Sequence, residues 1–323
     1  MIKYSFIIPV KAINDYIQES VPQILKINRD DFEIIVYPDE KTEQTWSKTR
    51  QISSGFGGPA IKRSLASRDA QGEILIFIDD DAYPAEDFLE KLDLNFNNSE
   101  VVAVGGPAMT PASDNFGQRV SGAVFLSKVS GGNPDRYIPI GKKRLVDDWP
   151  SVNLSVRKLI FDQVGGFNSE YWPGEDTLFC LELMKKTGKK IVYDPEVLVW
   201  HHRRAGFKKH LKQIGNYGLH RGHFVRKFPE TSRKLLYFIP SLFLIGVVLG
   251  FFASIIISNI TPYYIIFLCL YVLVIIKAFF DISNYESIQV SLSAIPYIVA
   301  THFVYGWRFI LGLCKKELKS KLR

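Results

Sequence analysis

Beyond residue 234 the chain runs in apolar stretches too long for the strands of a soluble sheet. Residues 235–258 exceed the roughly 20 apolar residues that carry a helix across a bilayer. Residues 262–280 come close to that length, with Lys277 placed to extend its ammonium towards the interface. The short link Asn259-Ile260-Thr261-Pro262 makes these two a hairpin. A third run, 288–314, contains His302 and Arg308 and is followed by Lys315, Lys316, Lys319, Lys321 and Arg323. Between His201 and Lys234 lies a first basic run that includes Arg203, Arg204, Lys208, Lys209 and Lys212, with Glu230 as its one acid. If the third run crossed, the two basic segments would lie on opposite faces, which the positive-inside rule disfavours. The expectation is therefore two spanning helices and a third that lies in the interface or re-enters, with a membrane region over 231–323.

Averages conceal this division. The chain is 47% hydrophobic with a net charge of +7, and neither figure describes either part. The basic run beside an apolar block points to an anionic membrane surface, and no nucleic-acid motif accompanies it. Cys180, Cys269 and Cys314 are too scattered for a disulfide framework or a metal site, which fits a reducing compartment. The N-terminus leads directly into the apolar run 4–10, too short for a secretory leader.

Over residues 1–230 the pattern alternates. Residues 4–10, 32–37, 74–78, 101–104, 191–193 and 197–200 read as strands. Helical spacing follows residue 15, and covers 59–70, 85–96 and the stretch after Glu175-Asp176. From Gly105 to Gly141 frequent Gly, Pro, Ser and Asn predict loops or an irregular hairpin. The alternation implies an open α/β sheet, whose ligands bind beyond the carboxyl ends of the strands. Asp79, Asp80 and Asp81 stand at such an end, after the continuous apolar run Ile74–Ile78. Three adjacent carboxylates raise one another's pKa, and a hard divalent cation relieves the repulsion. Strand alternation would point Asp79 and Asp81 one way and Asp80 the other. A solvated acidic turn capping a helix that begins near Pro84 explains the same residues without a ligand.

The run Glu73–Ala82, with its Asp triplet, resembles the donor-site strand of family 2 glycosyltransferases, which have the GT-A fold. The resemblance continues through Phe6-Ile7-Ile8-Pro9-Val10 and through Glu33–Asp39, where Pro38 replaces a common first aspartate. It extends to Gly58-Pro59-Ala60 with Lys62-Arg63, to Gly165-Gly166-Phe167 and to Gly174-Glu175-Asp176. It implies a GT-A catalytic domain, Rossmann-like with a mostly parallel sheet, over 1–230, followed by C-terminal membrane helices. It implies a nucleotide diphosphate sugar, UDP-linked by default, contacted by Pro9, Val10, Asp39, Arg63, Asp79 and Asp80. A divalent metal, Mg²⁺ or Mn²⁺, would be held by Asp81, Asp79 and His201, although alternation leaves His202 as an equal candidate for the inward position.

Asp176, with Glu175 beside it, takes the family's general-base position; an aspartate there also suits a helix N-cap. A base is useful to a sugar hydroxyl, whereas a polyprenyl phosphate is already ionised near neutral pH. The expected acceptor is therefore a hydroxyl of a membrane-associated lipid-linked glycan or envelope precursor. A polyprenyl-phosphate glycosyltransferase and a catalytically silent scaffold are the alternatives. Asp148, Trp149 and Asn153 are expected to line the acceptor pocket, with core packing an equal explanation for Trp149. The segment Gln213–Gly218 does not match the Gln-x-x-Arg-Trp of processive relatives, so single-sugar transfer is expected. Arg221 is read as a diphosphate contact or, more commonly, a lipid contact. The expected location is a membrane, crossed more than once, with the catalytic domain on the cytoplasmic side.

Overall fold

The computed structural model describes residues 1–318, so Lys319, Lys321 and Arg323 of the basic tail lie outside the described residues. Compactness divides the chain into two units, one of residues 1–111 and 135–202, the other of 112–134 and 203–318. This grouping by packing differs from the catalytic and membrane division expected at residue 230. The segment 112–134, interposed in the α/β sequence, packs with the C-terminal helices.

The strands are β1 (Tyr4–Pro9), β2 (Phe32–Tyr37), β3 (Thr49–Gln51), β4 (Ile74–Phe77), β5 (Ala82–Pro84) and β6 (Ala103–Gly105). They continue with β7 (Ala108–Met109), β8 (Arg144–Val146), β9 (Leu154–Arg157), β10 (Ile191–Tyr193) and β11 (Val199–His201). Eight form one sheet in the order β3-β2-β1-β4-β9-β6-β10-β8, and three form a second, β5-β11-β7. From β3 to β4 every pairing is parallel; β9 enters antiparallel to both β4 and β6. A mixed, largely parallel sheet is what the continuous apolar runs require, because both of its faces are covered. Period-two alternation shares each strand between the two faces. Tyr4, Phe6, Ile8, Ile74 and Ile76 pack on one side, and Ile7, Leu75 and Phe77 on the other. Each such buried side chain contributes about 1.5–3 kcal/mol.

The helices, in chain order, are α1 (Asp15–Ile24), α2 (Pro59–Ser64), α3 (Ala66–Asp69), α4 (Phe88–Phe96), α5 (Phe116–Ala123) and α6 (Lys158–Val164). Then follow α7 (Glu175–Thr187), α8 (Phe207–Lys227), α9 (Pro229–Ser232), α10 (Leu235–Ile256), α11 (Thr261–Ser283) and α12 (Ile288–Cys314). Two departures from the sequence reading bear on the site and on the interposed segment. The helix expected over 85–96 begins at Phe88, because Ala82–Pro84 pairs with β11 and Ala85 N, just beyond, still donates to Leu198 O at 3.0 Å. The Asp triplet is thus held between two strands and caps no helix. The loops expected between Gly105 and Gly141 contain α5, closed at its start by a reciprocal bond pair between Asn115 and Gln118.

In the second unit α10, α11 and α12 are each long and apolar enough to cross a membrane. Segment 112–134 is tied to them by an Arg119–Glu286 ion pair and by Ser127 Oγ, which donates to Asp281 at 2.6 Å.

Candidate active site

The carboxyl ends of β1, β2 and β4 are neighbours in register, with Pro9 opposite Tyr37 and Ile7 opposite Phe77. Beyond β4 the chain leaves the main sheet and enters β5, and Asp79, Asp80 and Asp81 form the crossing. β5 pairs antiparallel with β11, placing His201 opposite Ala82. This brings Asp79, Asp81 and His201 together, one ligand atom from each lying within 4.8 Å of the others. His201 Nε2 is 3.2 Å from Asp81 Oδ1. Alternation along the strand turns the next histidine away: His202 Nε2 meets Glu19 Oε2 at 3.0 Å, and its ring packs on Tyr16 at 5.2 Å. Asp80 also faces elsewhere, accepting from Asn14 Nδ2 at 2.7 Å. Burial and the adjacent Asp81 push its carboxyl up to about 6.

Two cations of α2 organise the carboxylates. Proline at the first helical position starts this helix after Gly58, and both basic side chains turn inward. Arg63, 3% exposed, donates from Nη2 to Asp79 Oδ1 at 2.5 Å and from Nη1 to Glu175 Oε1 at 3.1 Å. Its Nε is buried without a hydrogen-bond partner. Lys62, 2% exposed, gives its three protons to Val10 O at 2.7 Å, Tyr37 O at 3.2 Å and the Asp39 carboxylate. It thereby links the ends of β1 and β2 and holds Asp39 in place. A charge this deep persists only when fully bonded. The sequence reading singled out Arg63 and passed over Lys62 as part of a basic helix. A lysine inside the amphipathic turn Pro59–Ser64 was the signal available.

Glu175 and Asp176 open α7. The residue before them, Gly174, has φ +120°, a conformation that L side chains rarely adopt, so glycine there sets their direction. Gly174, not Asp176, is the N-cap, and no side chain caps this helix. Asp176 lies at the second helical position, its Oδ1 accepting from Thr177 N at 2.8 Å and its Oδ2 from Ser151 N at 3.4 Å. Glu175 is 5% exposed, and burial with the neighbouring Asp176 pushes its carboxyl up to about 7 against the pull of Arg63.

The structure buries the expected acceptor trio. Trp149 is 1% exposed, donates from Nε1 to Gly106 O at 3.0 Å and packs against Tyr193 at 4.9 Å. A Cβ on Gly105 would fall 2.2 Å from its ring, so the ring fills a groove made for it in the core. Asn153 is wholly buried, its Nδ2 donating to Pro107 O and Val197 O. Asp148 is buried between Arg136 and Thr177 Oγ1. All three pack in the interior next to the segment before β9. Pro9 and Val10 are also buried; Val10 serves through its carbonyl, which holds Lys62. Arg221 lies on α8 over the Tyr237 ring at 4.9 Å.

Two carboxylates and an imidazole suit a divalent cation of the Mg²⁺ or Mn²⁺ class, and the nitrogen favours Mn²⁺. Residues 5–154 match the family model described as Glycosyl transferase family 2. Over 94% of this chain and 92% of the relative, there is 22% identity to the Methanococcus voltae dolichyl N-acetyl-alpha-D-glucosaminyl phosphate 3-beta-D-2,3-diacetamido-2,3-dideoxy-beta-D-glucuronosyltransferase. A stretch covering 26% of this chain is 31% identical to the poly(ribitol-phosphate) beta-N-acetylglucosaminyltransferase TarS of Staphylococcus aureus, but spans only 17% of that protein. The fold is similar to that of the mannosyltransferase PcManGT from Pyrobaculum calidifontis, solved with GDP-Man and Mn²⁺. The TM-score is 0.53 at 17% identity, over 98% of this chain and 88% of that one. Sheet order, matched segment and relatives agree: this chain carries a family 2 glycosyltransferase domain of GT-A architecture.

Proposed function

We infer that the chain is an inverting, metal-dependent enzyme that moves a sugar from a nucleotide diphosphate sugar, UDP-linked by default, to a hydroxyl of a membrane-associated acceptor. The observation that carries this reading is the convergence of Asp79, Asp81 and His201 at the end of β4. A divalent ion bound by these three would neutralise charge developing on the departing diphosphate. Arg63 keeps Asp79 and Glu175 at fixed separation, so the donor end and the start of α7 form one rigid assembly. Asp39, oriented by Lys62, is the base-contacting carboxylate. Asp176 takes the proton of the acceptor hydroxyl as its oxygen attacks the anomeric carbon, and the bond to the diphosphate oxygen breaks from the opposite face. A lipid-linked acceptor is supported by the name of the Methanococcus voltae relative, which places its action on a dolichyl sugar phosphate. The basic run before α10 supports a membrane protein, crossed more than once, with this domain on the cytoplasmic side.

Thermal stabilisation by a panel of nucleotide sugars, with and without Mn²⁺, tests the reading. A ligand at 100 times its Kd adds about 2.7 kcal/mol. One UDP-sugar is expected to stabilise the protein only with metal, and Asp81→Asn is expected to abolish the effect. Equal stabilisation in EDTA would overturn the metal assignment.

A further inference from the structure

The helix hairpin of the second unit has a closed tip and an open mouth. Near the tip α10 and α11 pack closely: Thr261 Oγ1 donates to Ser254 O at 3.1 Å, and a Cβ on Gly250 would fall 2.6 Å from the Tyr264 ring. Towards the mouth, Phe243 stacks on Tyr271 at 4.1 Å. At that level the middle of α12 joins both helices. Tyr271 Oη lies 3.0 Å from His302 Nδ1, and Phe243 contacts Phe303 at 5.6 Å.

From this meeting point the two arms of α12 both run back towards the mouth. On one side, Ser241 Oγ donates to Gly306 O at 3.0 Å, and Phe238 packs on Phe309 at 4.9 Å. Ascending numbers on α12 thus meet descending numbers on α10, and Cys314 approaches the level at which α10 begins. On the other side, only residues 284–287 separate the end of α11 from the start of α12. Ile288 therefore stands beside Ser283, at the mouth as well. A crossing helix would run from one end of the hairpin to the other, and this one has both ends towards the mouth.

The partner of α12 points the same way. Helix α8 runs parallel to it for most of its length: Phe207 packs on Tyr297 at 4.8 Å, and His210 Nε2 lies 2.9 Å from Thr301 Oγ1. Further on, Arg308 Nε donates to Gly215 O at 3.2 Å, and Arg226 Nη1 to Leu313 O at 3.1 Å. The approach is close, since a Cβ on Gly222 would fall 2.1 Å from Phe309 O. Yet α8 carries exposed Lys208, Lys209, Lys212, Arg226 and Lys227. Each such charge at the centre of a spanning helix costs about 2.5–3.5 kcal/mol, so α8 stays in water and holds α12 beside it. Away from this helix, α12 shows an apolar stripe with Ile288, Leu292 and Trp307 exposed. An apolar face with tryptophan opposite a charged partner is the pattern of an interfacial helix.

We propose that α10 and α11 are the two membrane spans and that α12, although long enough to cross, lies in the interface with α8 on its aqueous side. Its exposed stripe faces the acyl chains of the leaflet at the hairpin mouth. Positions 285 and 314 then lie on one face of the membrane, and the hairpin tip at 259 on the other.

Single-cysteine labelling of the full chain in sealed vesicles of both orientations decides this. The reporters are Asn259→Cys, Tyr285→Cys and the native Cys314, each in a background with the other exposed cysteines changed to serine. Ser258→Cys is a second tip reporter if Asn259→Cys does not accumulate. With a membrane-impermeant maleimide, 285 and 314 are expected to react from one side and 259 from the other. Reaction of 314 together with 259 means three crossings, and reaction of all three from one side means none; either overturns the proposal. The readout is independent of glycosyl transfer, so it stands or falls apart from the proposed activity.

Discussion

Burial runs in opposite senses in the two units. In the α/β unit the apolar strands are inside, and three of its buried charges, Lys62, Arg63 and Glu175, are paired around one site. On α10 and α11 of the helical unit most apolar side chains face outward: Leu235 is 74% and Ile256 79% exposed, while Ser241 is buried. Water rewards hiding apolar surface, whereas lipid is indifferent to it and penalises unbonded polar groups. The same chain therefore uses two packing codes. The buried Arg63 of the first unit joins two carboxylates at the candidate site, and the buried Ser241 of the second joins two helices.

The contrast can be tested at single residues. The largest effect is expected at Asp176, the proposed general base. Asp176→Asn should lower kcat by about 10²–10⁴-fold, the usual contribution of a general base, with donor KM nearly unchanged. Near-normal turnover would remove Asp176 from the mechanism. Next comes Arg63→Met, which strands Glu175 without its cation. Removing one partner of a buried pair costs about 3–5 kcal/mol, readable as a drop in melting temperature and a loss of donor-dependent stabilisation.

A matched pair of leucines compares the two codes directly. Leu94 on α4 and Leu249 on α10 are almost equally exposed, at 65% and 62%. Leu94→Arg should shift stability by less than about 0.5 kcal/mol, as surface changes do. Leu249→Arg should cost about 2.5–3.5 kcal/mol of insertion, seen as protein lost from the carbonate-washed membrane fraction. Equal behaviour of the two variants would contradict a lipid-facing α10.

The smallest effect concerns pH. Below about 4.5 the Glu175 carboxyl is neutral in the folded and unfolded chain alike; from there to about 7 only the folded chain keeps its proton. Folding stability contributed by this group therefore falls as pH rises through that window, by at most about 1.4 kcal/mol per pH unit. Glu175→Gln should flatten that part of the melting-temperature profile in the metal-free protein. An unchanged slope would place the titration elsewhere.

Much of this architecture was legible in local sequence. The apolar runs 4–10, 32–37 and 74–78 are strands because nothing interrupts them, and the triplet follows the third. Boundaries were less legible where a remote partner decides them. Ala82–Pro84 has the composition of a helix start, yet the edge of β11 captures it as a strand. Trp149 shows the same limit: a flat apolar ring suits a sugar or a core equally, and only the groove at Gly105 distinguishes them.

The sequence by itself determined the α/β order, the acidic triplet at a strand end, the GED turn and the apolar C-terminal helices. These follow from periodicity, chain length and the backbone preferences of glycine and proline, all of which act over a few residues. Tertiary structure alone decided that His201 and not His202 joins Asp79 and Asp81, because pairing with β5 sets the phase of β11. It also decided that Lys62 orients Asp39, and that the middle of α12 meets both Phe243 of α10 and Tyr271 of α11. Each of these depends on which remote segment occupies the neighbouring space, and a linear pattern carries no record of that.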